Sequence, residues 1–99
     1  APSQLVFDPG FGFGKTLTHN LALFAGLPSL AARLARPLLV GLSRNRLLGA
    51  LSGEERPDAR DLESVVAGAL AVERGAHVLR VHAVRDHVRA LAVLRGLTR

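Results

Sequence analysis

The amino-acid sequence predicts an α/β fold in which short strands and helices alternate along the chain. Three apolar runs, typical of strands buried on both faces, are each followed by a segment with helical spacing of apolar residues. Strands separated by helices of this length pair in parallel through right-handed crossovers. The 99 residues are 48% hydrophobic, so we expect residues 1–99 to form a single unit with no internal boundary.

The first half of the chain contains two of the predicted strands. The run QLVFD, residues 4–8, is short and apolar, and residues 17–35 have helical periodicity interrupted at Pro28. The run RPLLVGLS, residues 36–43, predicts the second strand. Residues 44–53 then predict one or two helical turns that end in a glycine.

The second half contains the longest predicted helices and the third strand. Residues 56–76 predict a helix with Asp58 or Asp61 as its N-cap and Gly75 at its end. Five apolar residues share one face of this helix: Leu62, Val65, Val66, Ala69 and Leu70. The run HVLRVHAV, residues 77–84, predicts the third strand, and a final helix follows it.

Three parallel strands are few for a sheet of this kind, and an open parallel edge attracts further pairing. Three βα units are less than half of an eight-unit barrel or about half of a doubly wound sheet. We therefore expect the chain to be part of a larger fold.

Composition limits the possible functions. The formal charge of +5 comes from twelve arginines and one lysine against eight acids. The arginines are scattered and four phenylalanines are the only aromatic residues, which disfavours nucleic-acid binding as the main role and suits an anionic small molecule. There is no cysteine for disulfides or thiolate metal sites, and no apolar run long enough to span a membrane.

The stretch DPGFGFGKT, residues 8–16, comes close to two phosphate-binding signatures. The P-loop pattern needs glycine where Pro9 stands, and the dinucleotide pattern needs glycine where Lys15 stands. Proline has no N–H to offer a phosphate. The sequence therefore predicts neither kind of phosphate loop here.

The same stretch carries an acid and two aromatic residues. Asp8 stands at the carboxyl end of a strand, where α/β folds bind ligands, although an aspartate there can also form a turn or a helix cap. Phe11 and Phe13 occupy a loop that we expect to be exposed. A planar ligand would account for them, with ordinary core packing as the alternative.

The second strand ends in a glycine and a polar tetrapeptide. Gly41 allows a ligand to approach the backbone closely. Ser43, Arg44, Asn45 and Arg46 then open a helix whose free N–H groups favour an anion. The alternative is a serine N-cap followed by solvated arginines.

The third strand places Arg80 and His82 on one face, since they are two residues apart. This pair could form a phosphate clamp, or else a structural ion pair and a hydrogen-bonded core histidine. We expect His77 and His87 at the periphery, and His19 to cap or pack at a helix start. No spacing of histidine and acid predicts a metal site in this segment alone.

Three stretches, taken in order, resemble a known family. DPGFGFGKTLTHN, LLVGLSRNRLLG and GAHVLRVHAV resemble the C-terminal part of dihydropteroate synthase, a folate-pathway enzyme, over nearly the whole chain. The resemblance implies three consecutive βα units, strands six to eight with their helices, of an incomplete TIM (β/α)8 barrel. It also implies the condensation of 6-hydroxymethyl-7,8-dihydropterin diphosphate with 4-aminobenzoate, which gives 7,8-dihydropteroate and pyrophosphate with the help of magnesium.

The resemblance assigns roles by position. The residues implied in pterin binding are Asp8, Gly41, Asn45 and Arg80. Those implied in the aminobenzoate pocket are Phe13, Ser43, Arg44 and Arg46. Arg80 and His82 would hold the departing pyrophosphate and form the implied catalytic pair, whereas Lys15 receives no role.

Three positions depart from the family's pattern. Asn45 stands for a lysine that touches the pterin, Arg46 for a small polar residue, and Ala83 for the aspartate after the histidine. A pterin-binding relative without the reaction is therefore an alternative. A basic module that binds anions or nucleic acid is a more distant one.

Much of the implied site lies outside this sequence. Strands one to five and the asparagine that helps to bind Mg²⁺ are absent, so we do not expect these 99 residues to catalyse alone. The resemblance implies a homodimer that associates through the last helices, within residues 62–72 and 88–94. We expect a cytoplasmic location, with which the absence of cysteine is compatible. We expect small-molecule substrates as partners, with neither nucleic acid nor a membrane.

Overall fold

The computed structural model describes residues 8–11, 16–34 and 36–98. Its elements, in chain order, are α1 (Leu17–Ala25), α2 (Leu27–Arg33), β1 (Leu39–Val40), α3 (Arg46–Ser52), α4 (Asp61–Glu73), β2 (Val78–Leu79) and α5 (Val84–Leu97). A 3-10 turn, Pro57–Ala59, precedes α4. The predicted first strand falls outside the described residues except for Asp8.

The two strands of the described residues form a parallel pair. Leu39 lies opposite Val78, and Val40 opposite Leu79. The parallel arrangement predicted for the second and third strands is therefore confirmed, although both strands are shorter than the apolar runs suggested. Because the strands run in the same direction, the loops that follow them emerge at one rim.

The break predicted within the first helical segment separates two helices. Gly26 ends α1, and Pro28 lies in the first turn of α2, where its missing N–H costs nothing. Thr16 is the N-cap of α1, and its Oγ1 accepts a hydrogen bond from His19 N at 3.1 Å. The His19 side chain itself is exposed, so the cap expected there is provided by Thr16.

Helix α3 begins two residues later than the sequence suggested. Its N-cap is Asn45, whose Oδ1 accepts from Leu47 N at 2.9 Å, so the alternative of a cap at Ser43 is wrong. Gly53 ends the helix with φ of 88°, a left-handed conformation that favours glycine.

The N-cap predicted for α4 is also wrong. The residue at the cap position is Arg60, without a side-chain cap, while Asp58 belongs to the preceding 3-10 turn and Asp61 is the first helical residue. The Asp61 carboxylate is bound elsewhere, by Arg44. Gly75 follows the helix with φ of 107°, as the predicted end of this helix requires.

The buried face of α4 consists of small residues: Ser64, Ala67, Gly68 and Ala71. The larger apolar residues Leu62, Val66 and Leu70 are exposed, at 75, 53 and 39%. Small side chains allow close packing against α5, and so the helix points its bulkier face outwards.

His87 was expected at the periphery but is buried between α4 and α5, with 4% of it exposed. Its ring lies against Gly68, where an added Cβ would be 2.9 Å from the ring Cδ2. Nδ1 is 2.8 Å from the carbonyl oxygen of Ala83 and Nε2 is 3.2 Å from that of Ser64. His87 therefore joins the two helices behind the sheet.

The core collects apolar residues from the strands and from the helices that cover them. It contains Phe11, Leu27, Leu38, Val40, Leu42, Leu47, Leu48, Ala67, Ala71 and Ala76. The rings of Phe11 and Phe24 are 6.1 Å apart between centroids, and the Arg74 guanidinium lies over Phe24. None of the helices described is both long and apolar enough to cross a bilayer.

Candidate functional site

Residues that follow all three predicted strands meet around one cavity of about 470 Å³. Its lining residues are Phe11, Gly41, Ser43, Arg44, Asn45, Arg46, Arg80, Val81 and His82. Asp8 reaches the same place through a bond to Arg80. The structure thus brings together every predicted site residue except Phe13, which, like Lys15, lies outside the described residues.

Asp8 forms the turn that was one of the two alternatives for its position, and it also pairs with Arg80. Its Oδ1 accepts from Gly10 N at 2.9 Å, which closes a turn of the kind aspartate favours. Its Oδ2 is 3.2 Å from Nη1 of Arg80. The turn leaves the carboxylate facing the cavity, where it meets the cation from the third strand end.

Phe11 is a core residue, so the expectation that it is exposed is wrong. Only 4% of it is accessible, and its ring lies against that of Phe24 of α1 in a tilted arrangement, with the centroids 6.1 Å apart. It also lines the cavity. The core interpretation is therefore correct for Phe11, while Phe13 stays untested.

Gly41 leaves room for the guanidinium of Arg80, which lies against its backbone. A Cβ at position 41 would overlap Nη2 and Cζ of the guanidinium, which covers the glycine backbone. Arg80 follows the end of β2, and its side chain is 58% exposed. The cost expected for a charge inside a buried strand therefore does not arise.

Ser43 and His82 join the second and third strand ends directly. The Ser43 Oγ accepts from the His82 backbone N at 3.1 Å and lies 2.8 Å from the His82 ring Nδ1. Two bonds between the same residues fix the relative position of the two loops. The ring Nε2 is the nitrogen not used in this link.

Arg44 has the left-handed backbone conformation, with φ of 59°, that few non-glycine residues adopt. Its Nε and Nη2 donate to the two carboxylate oxygens of Asp61 at 3.0 and 3.4 Å. This fork-shaped pair lowers the pKa of Asp61 and raises that of Arg44, chiefly through the hydrogen bonds between the two side chains. One edge of the cavity is thereby tied to α4.

Asn45 and Arg46 differ in what they offer a ligand. The Asn45 Oδ1 is occupied by Leu47 N, so one of the helix N–H groups that was expected to attract an anion is already bonded. Arg46, the first residue of α3, is exposed and lines the cavity. An anion here would meet the arginine side chain rather than a free helix terminus.

The charges around the cavity suit an anionic ligand. Three arginines and one histidine surround it: Arg44, Arg46, Arg80 and His82. The nearby acids Asp8 and Asp61 are each engaged by an arginine. An incoming phosphate or carboxylate would meet the unused N–H groups of these side chains.

Magnesium does not fit the donors described here. No group of three or more histidines and acids in residues 8–11, 16–34 and 36–98 is placed to hold a metal ion. The Asp8 carboxylate oxygens are taken by Arg80 and Gly10 N, whereas Mg²⁺ needs several oxygen ligands in an octahedron. A magnesium site would need oxygen ligands from another part of the protein.

Sequence reasoning missed three residues of α4 and its cap that contact Arg44: Arg60, Asp61 and Ser64. Arg60 and Ser64 bond its backbone, and Asp61 its side chain. Asp61 was assigned to a cap, and the other two had no assignment. Their contacts span 16 to 20 residues of chain, so no local pattern would have indicated them.

The family model described as "Pterin binding enzyme" matches residues 1–82. Dihydropteroate synthase of Neisseria meningitidis serogroup C is 46% identical over 97 residues, which are 98% of this chain and 34% of the relative. That of Mycobacterium leprae is 48% identical over 98 residues, 94% of this chain and 34% of the relative. The chain thus spans about a third of the length of the curated relatives it matches.

Solved structures of dihydropteroate synthases contain a segment with the fold of this chain. Dihydropteroate synthase from Thermus thermophilus, in complex with 6HMPPP, superposes with a TM-score of 0.93 at 53% identity, covering 97% of this chain and 38% of that one. The enzyme from Xanthomonas albilineans, in complex with 7,8-dihydropteroate, superposes with a TM-score of 0.92 at 48% identity. The match covers 96% of this chain and 36% of that one. The fold is therefore part of a TIM barrel, with parallel strands and a sheet that does not close. The chain belongs to the pterin binding enzyme family.

Proposed function

We propose that the full-length protein is a dihydropteroate synthase, to which this chain contributes part of the site. The reaction would join 6-hydroxymethyl-7,8-dihydropterin diphosphate to 4-aminobenzoate and release pyrophosphate. The observation that carries the proposal is one cavity lined by Ser43, Arg80 and His82, with Asp8, which follows the first predicted strand, bound to Arg80. Neighbouring solved enzymes bind 6HMPPP, 4-aminobenzoate and dihydropteroate.

In the proposed reaction the bond between the pterin methylene carbon and the diphosphate oxygen breaks, and a bond from that carbon to the amine nitrogen forms. The amine loses a proton, and pyrophosphate leaves with the electron pair of the broken bond. Negative charge therefore develops on the leaving group, and fixed positive charge beside it stabilises the transition state. Arg80 would supply that charge, and His82 would hold the pyrophosphate with it.

The proposed binding roles follow from the contacts. Asp8 would accept hydrogen bonds from the pterin ring, with Gly41 and Asn45 beside it. The flat guanidinium of Arg80, held over Gly41, would lie along the ring. Ser43, Arg44 and Arg46 would surround the aminobenzoate together with Phe13, whose place the described residues do not include. Positioning two substrates in one cavity removes much of the entropy cost of their encounter.

Two observations at helix N-termini favour a second candidate, a pterin-binding protein without the reaction. The Asn45 amide is neutral and its oxygen caps α3, so Asn45 offers a ligand neither the charge of the expected lysine nor that oxygen as an acceptor. Ala83 caps α5 without a side-chain hydrogen bond, where an aspartate would offer one. A basic nucleic-acid module is less well supported, because Arg44, Arg60 and Arg80 all have intramolecular partners.

The test is an assay of the full-length protein with both substrates. A synthase is expected to release pyrophosphate and form 7,8-dihydropteroate in equal amounts, with both dependent on 4-aminobenzoate. Binding of the pterin diphosphate without either product would contradict the synthase and support the second candidate. Titration with DNA across salt concentrations tests the basic nucleic-acid module, because binding through many phosphates weakens steeply as salt rises.

We also propose that the full-length protein is a homodimer that associates through the outer face of α4, one of the last two helices. The exposed side chains of Leu62, Val66 and Leu70 lie one turn apart on α4. With Leu21 of α1 and Leu51 of α3, they border an apolar groove of about 390 Å³. Exposed leucine and valine side chains that adjoin one another in this way are a feature of interaction surfaces.

The place of α4 in the barrel supports a second chain as the occupant. In a ring of βα units, the missing units would join beside the first strand and beside α5. Exposed residues of α5, such as Val84 and Val88, can be covered there. The outer face of α4 belongs to the middle unit, which has both ring neighbours in this chain.

Val66→Glu in the full-length protein is the test of this interface. A buried carboxylate without a partner is costly, so the variant should be monomeric at concentrations where the parent is a dimer. Arg56→Glu, on an exposed loop residue, is the control and should remain dimeric. Sedimentation measures both. A monomeric parent, or a Val66→Glu variant that still dimerises, would overturn the proposal. The cytoplasmic location, and the use of magnesium implied by the resemblance, stay predictions.

A further inference from the structure

We propose that Arg60 and Ser64 are positioning residues that hold Arg44 in its left-handed conformation and thereby direct Ser43 at His82. Both lie at the start of α4, outside the lining of the cavity. The inference rests on the proposed function, since it assigns them an effect on the aminobenzoate side of that site.

The turn that they hold is unfavourable by itself. Arg44 has φ of 59°, where the Cβ of an L-residue crowds the backbone. The residue before it, Ser43, makes both bonds to His82. If Arg44 relaxed to an ordinary conformation, the direction of the chain at Ser43 would change and those bonds would be lost. Something must therefore hold the turn in place.

Both backbone polar groups of Arg44 are bound by α4 and its cap residue. Arg44 N donates to Ser64 Oγ at 2.8 Å, and Arg44 O accepts from Nη1 of Arg60 at 3.1 Å. The Ser64 hydroxyl in turn donates to the carbonyl oxygen of Arg60 at 2.6 Å. Ser64 is 2% exposed, so water does not replace its bonds. These contacts select the left-handed turn.

Arg60 itself is held rigidly. It is 6% exposed, and no carboxylate in the described part of the chain forms a salt bridge with it. Its Nε and Nη2 donate to the carbonyl oxygens of Glu54 and Glu55 at 2.8 and 2.9 Å. Helix α3 leaves room for it, since a Cβ on Gly49 would overlap the guanidinium. A buried arginine whose hydrogen bonds all reach backbone carbonyls fixes loops in place.

The kinetic test uses Ser64→Ala and Arg60→Lys in the full-length protein. Alanine removes the acceptor for Arg44 N, and lysine cannot reach three carbonyls at once. Each variant should raise the KM for 4-aminobenzoate about fivefold or more and the KM for the pterin diphosphate by a smaller factor, because Arg80 still holds the diphosphate. Leu27→Ala, at a fully buried site on α2, should lower Tm without changing either KM.

A second readout does not depend on activity. The His82 amide donates to Ser43 Oγ, whereas the Arg80 amide, two residues away, donates to Val40 O within the strand pair. Ser64→Ala should speed hydrogen exchange at the His82 amide about tenfold relative to the Arg80 amide of the same molecule. The internal reference cancels any loss of global stability.

The outcomes separate this proposal from the function on which it rests. An inactive parent protein contradicts the synthase, and the exchange measurement then decides the positioning role by itself. An active parent whose variants change both KM values equally, or neither, overturns the positioning role. Equal changes in exchange at His82 and Arg80 overturn it as well.

Discussion

The loops that follow the two described strands are built in opposite ways. In residues 41–45, the backbone of Arg44 is bonded on both sides by α4 and its cap, its side chain is paired with Asp61, and Asn45 caps the next helix. In residues 80–83, the Arg80 side chain is 58% exposed and bonds one carboxylate across the cavity. The first loop is held by the scaffold, while the second presents charge that a ligand can take over.

This difference suggests a division of labour within the site. A loop with satisfied backbone groups and a paired arginine keeps its shape whether or not a ligand is bound. An exposed guanidinium can exchange its bond to Asp8 for bonds to a phosphate with little reorganisation. Positioning would then belong to the loop after β1, and electrostatic stabilisation to the loop after β2.

The contact between Gly41 and the Arg80 guanidinium, where the two loops meet, gives the strongest test of this difference. Gly41→Ala places a Cβ against the Arg80 guanidinium, which can move away because it ends a flexible side chain. Stability should change little, but a displaced cation should lower kcat/KM about tenfold or more. Kinetics and thermal unfolding of the full-length protein measure the two effects.

Gly53→Ala is the matched control for that variant. Gly53 has φ of 88° and open space around it, so alanine should cost about 1 kcal/mol of stability through backbone strain and leave kcat/KM unchanged. If Gly41→Ala lost stability but kept its activity, the guanidinium would not need its place over the glycine. The role proposed for Arg80 would then be wrong.

The ion pair between Arg44 and Asp61 tests, through a smaller effect, how the loop after β1 is held in place. The pKa of Asp61 is lowered by its bond to Arg44, so the pair stabilises the fold above the unfolded pKa, near 3.8. That contribution is lost as the pH falls through the lower pKa of the folded state. Asp61→Asn should therefore reduce Tm by a constant amount above about pH 5, and the difference should close below about pH 4.

The measurement is thermal unfolding of the full-length protein between pH 7 and pH 3. Glu73→Gln, at an exposed acid near the end of the same helix, is the control for loss of a negative charge. A gap between parent and Asp61→Asn that widened towards acid pH would show that the pair does not stabilise the folded state.

The sequence predicted the parts of the fold that depend on local patterns. Apolar runs and helical spacing located the second and third strands and every helix, while Gly53 and Gly75 marked helix ends. The polar residues after the strands converge because parallel strands end at one rim, which follows from topology alone. The parallel topology was therefore enough to predict that these residues lie close together, without any knowledge of side-chain contacts.

The cap of α3 was misplaced by a local contact, that of Asn45 with Leu47 N, whereas the other failures depend on contacts between distant segments. Asp61 is a plausible cap by position, but Arg44 binds its carboxylate. His87 was assigned to the periphery, yet α4 presents a glycine that makes room for its ring. Phe11 is buried, with its ring against Phe24 of α1. Arg60 and Ser64 act on a residue 16 to 20 positions away, and no local pattern shows that.

The measurement that tests the central claim most directly compares two ligands on Arg80→Gln in the full-length protein. Glutamine keeps a planar polar group but removes the charge. Calorimetric titration should show affinity for the dihydropterin diphosphate falling at least tenfold, while affinity for the same pterin without its diphosphate stays within about threefold. Equal losses for both ligands, or no loss for either, would contradict the assignment of the phosphate to Arg80.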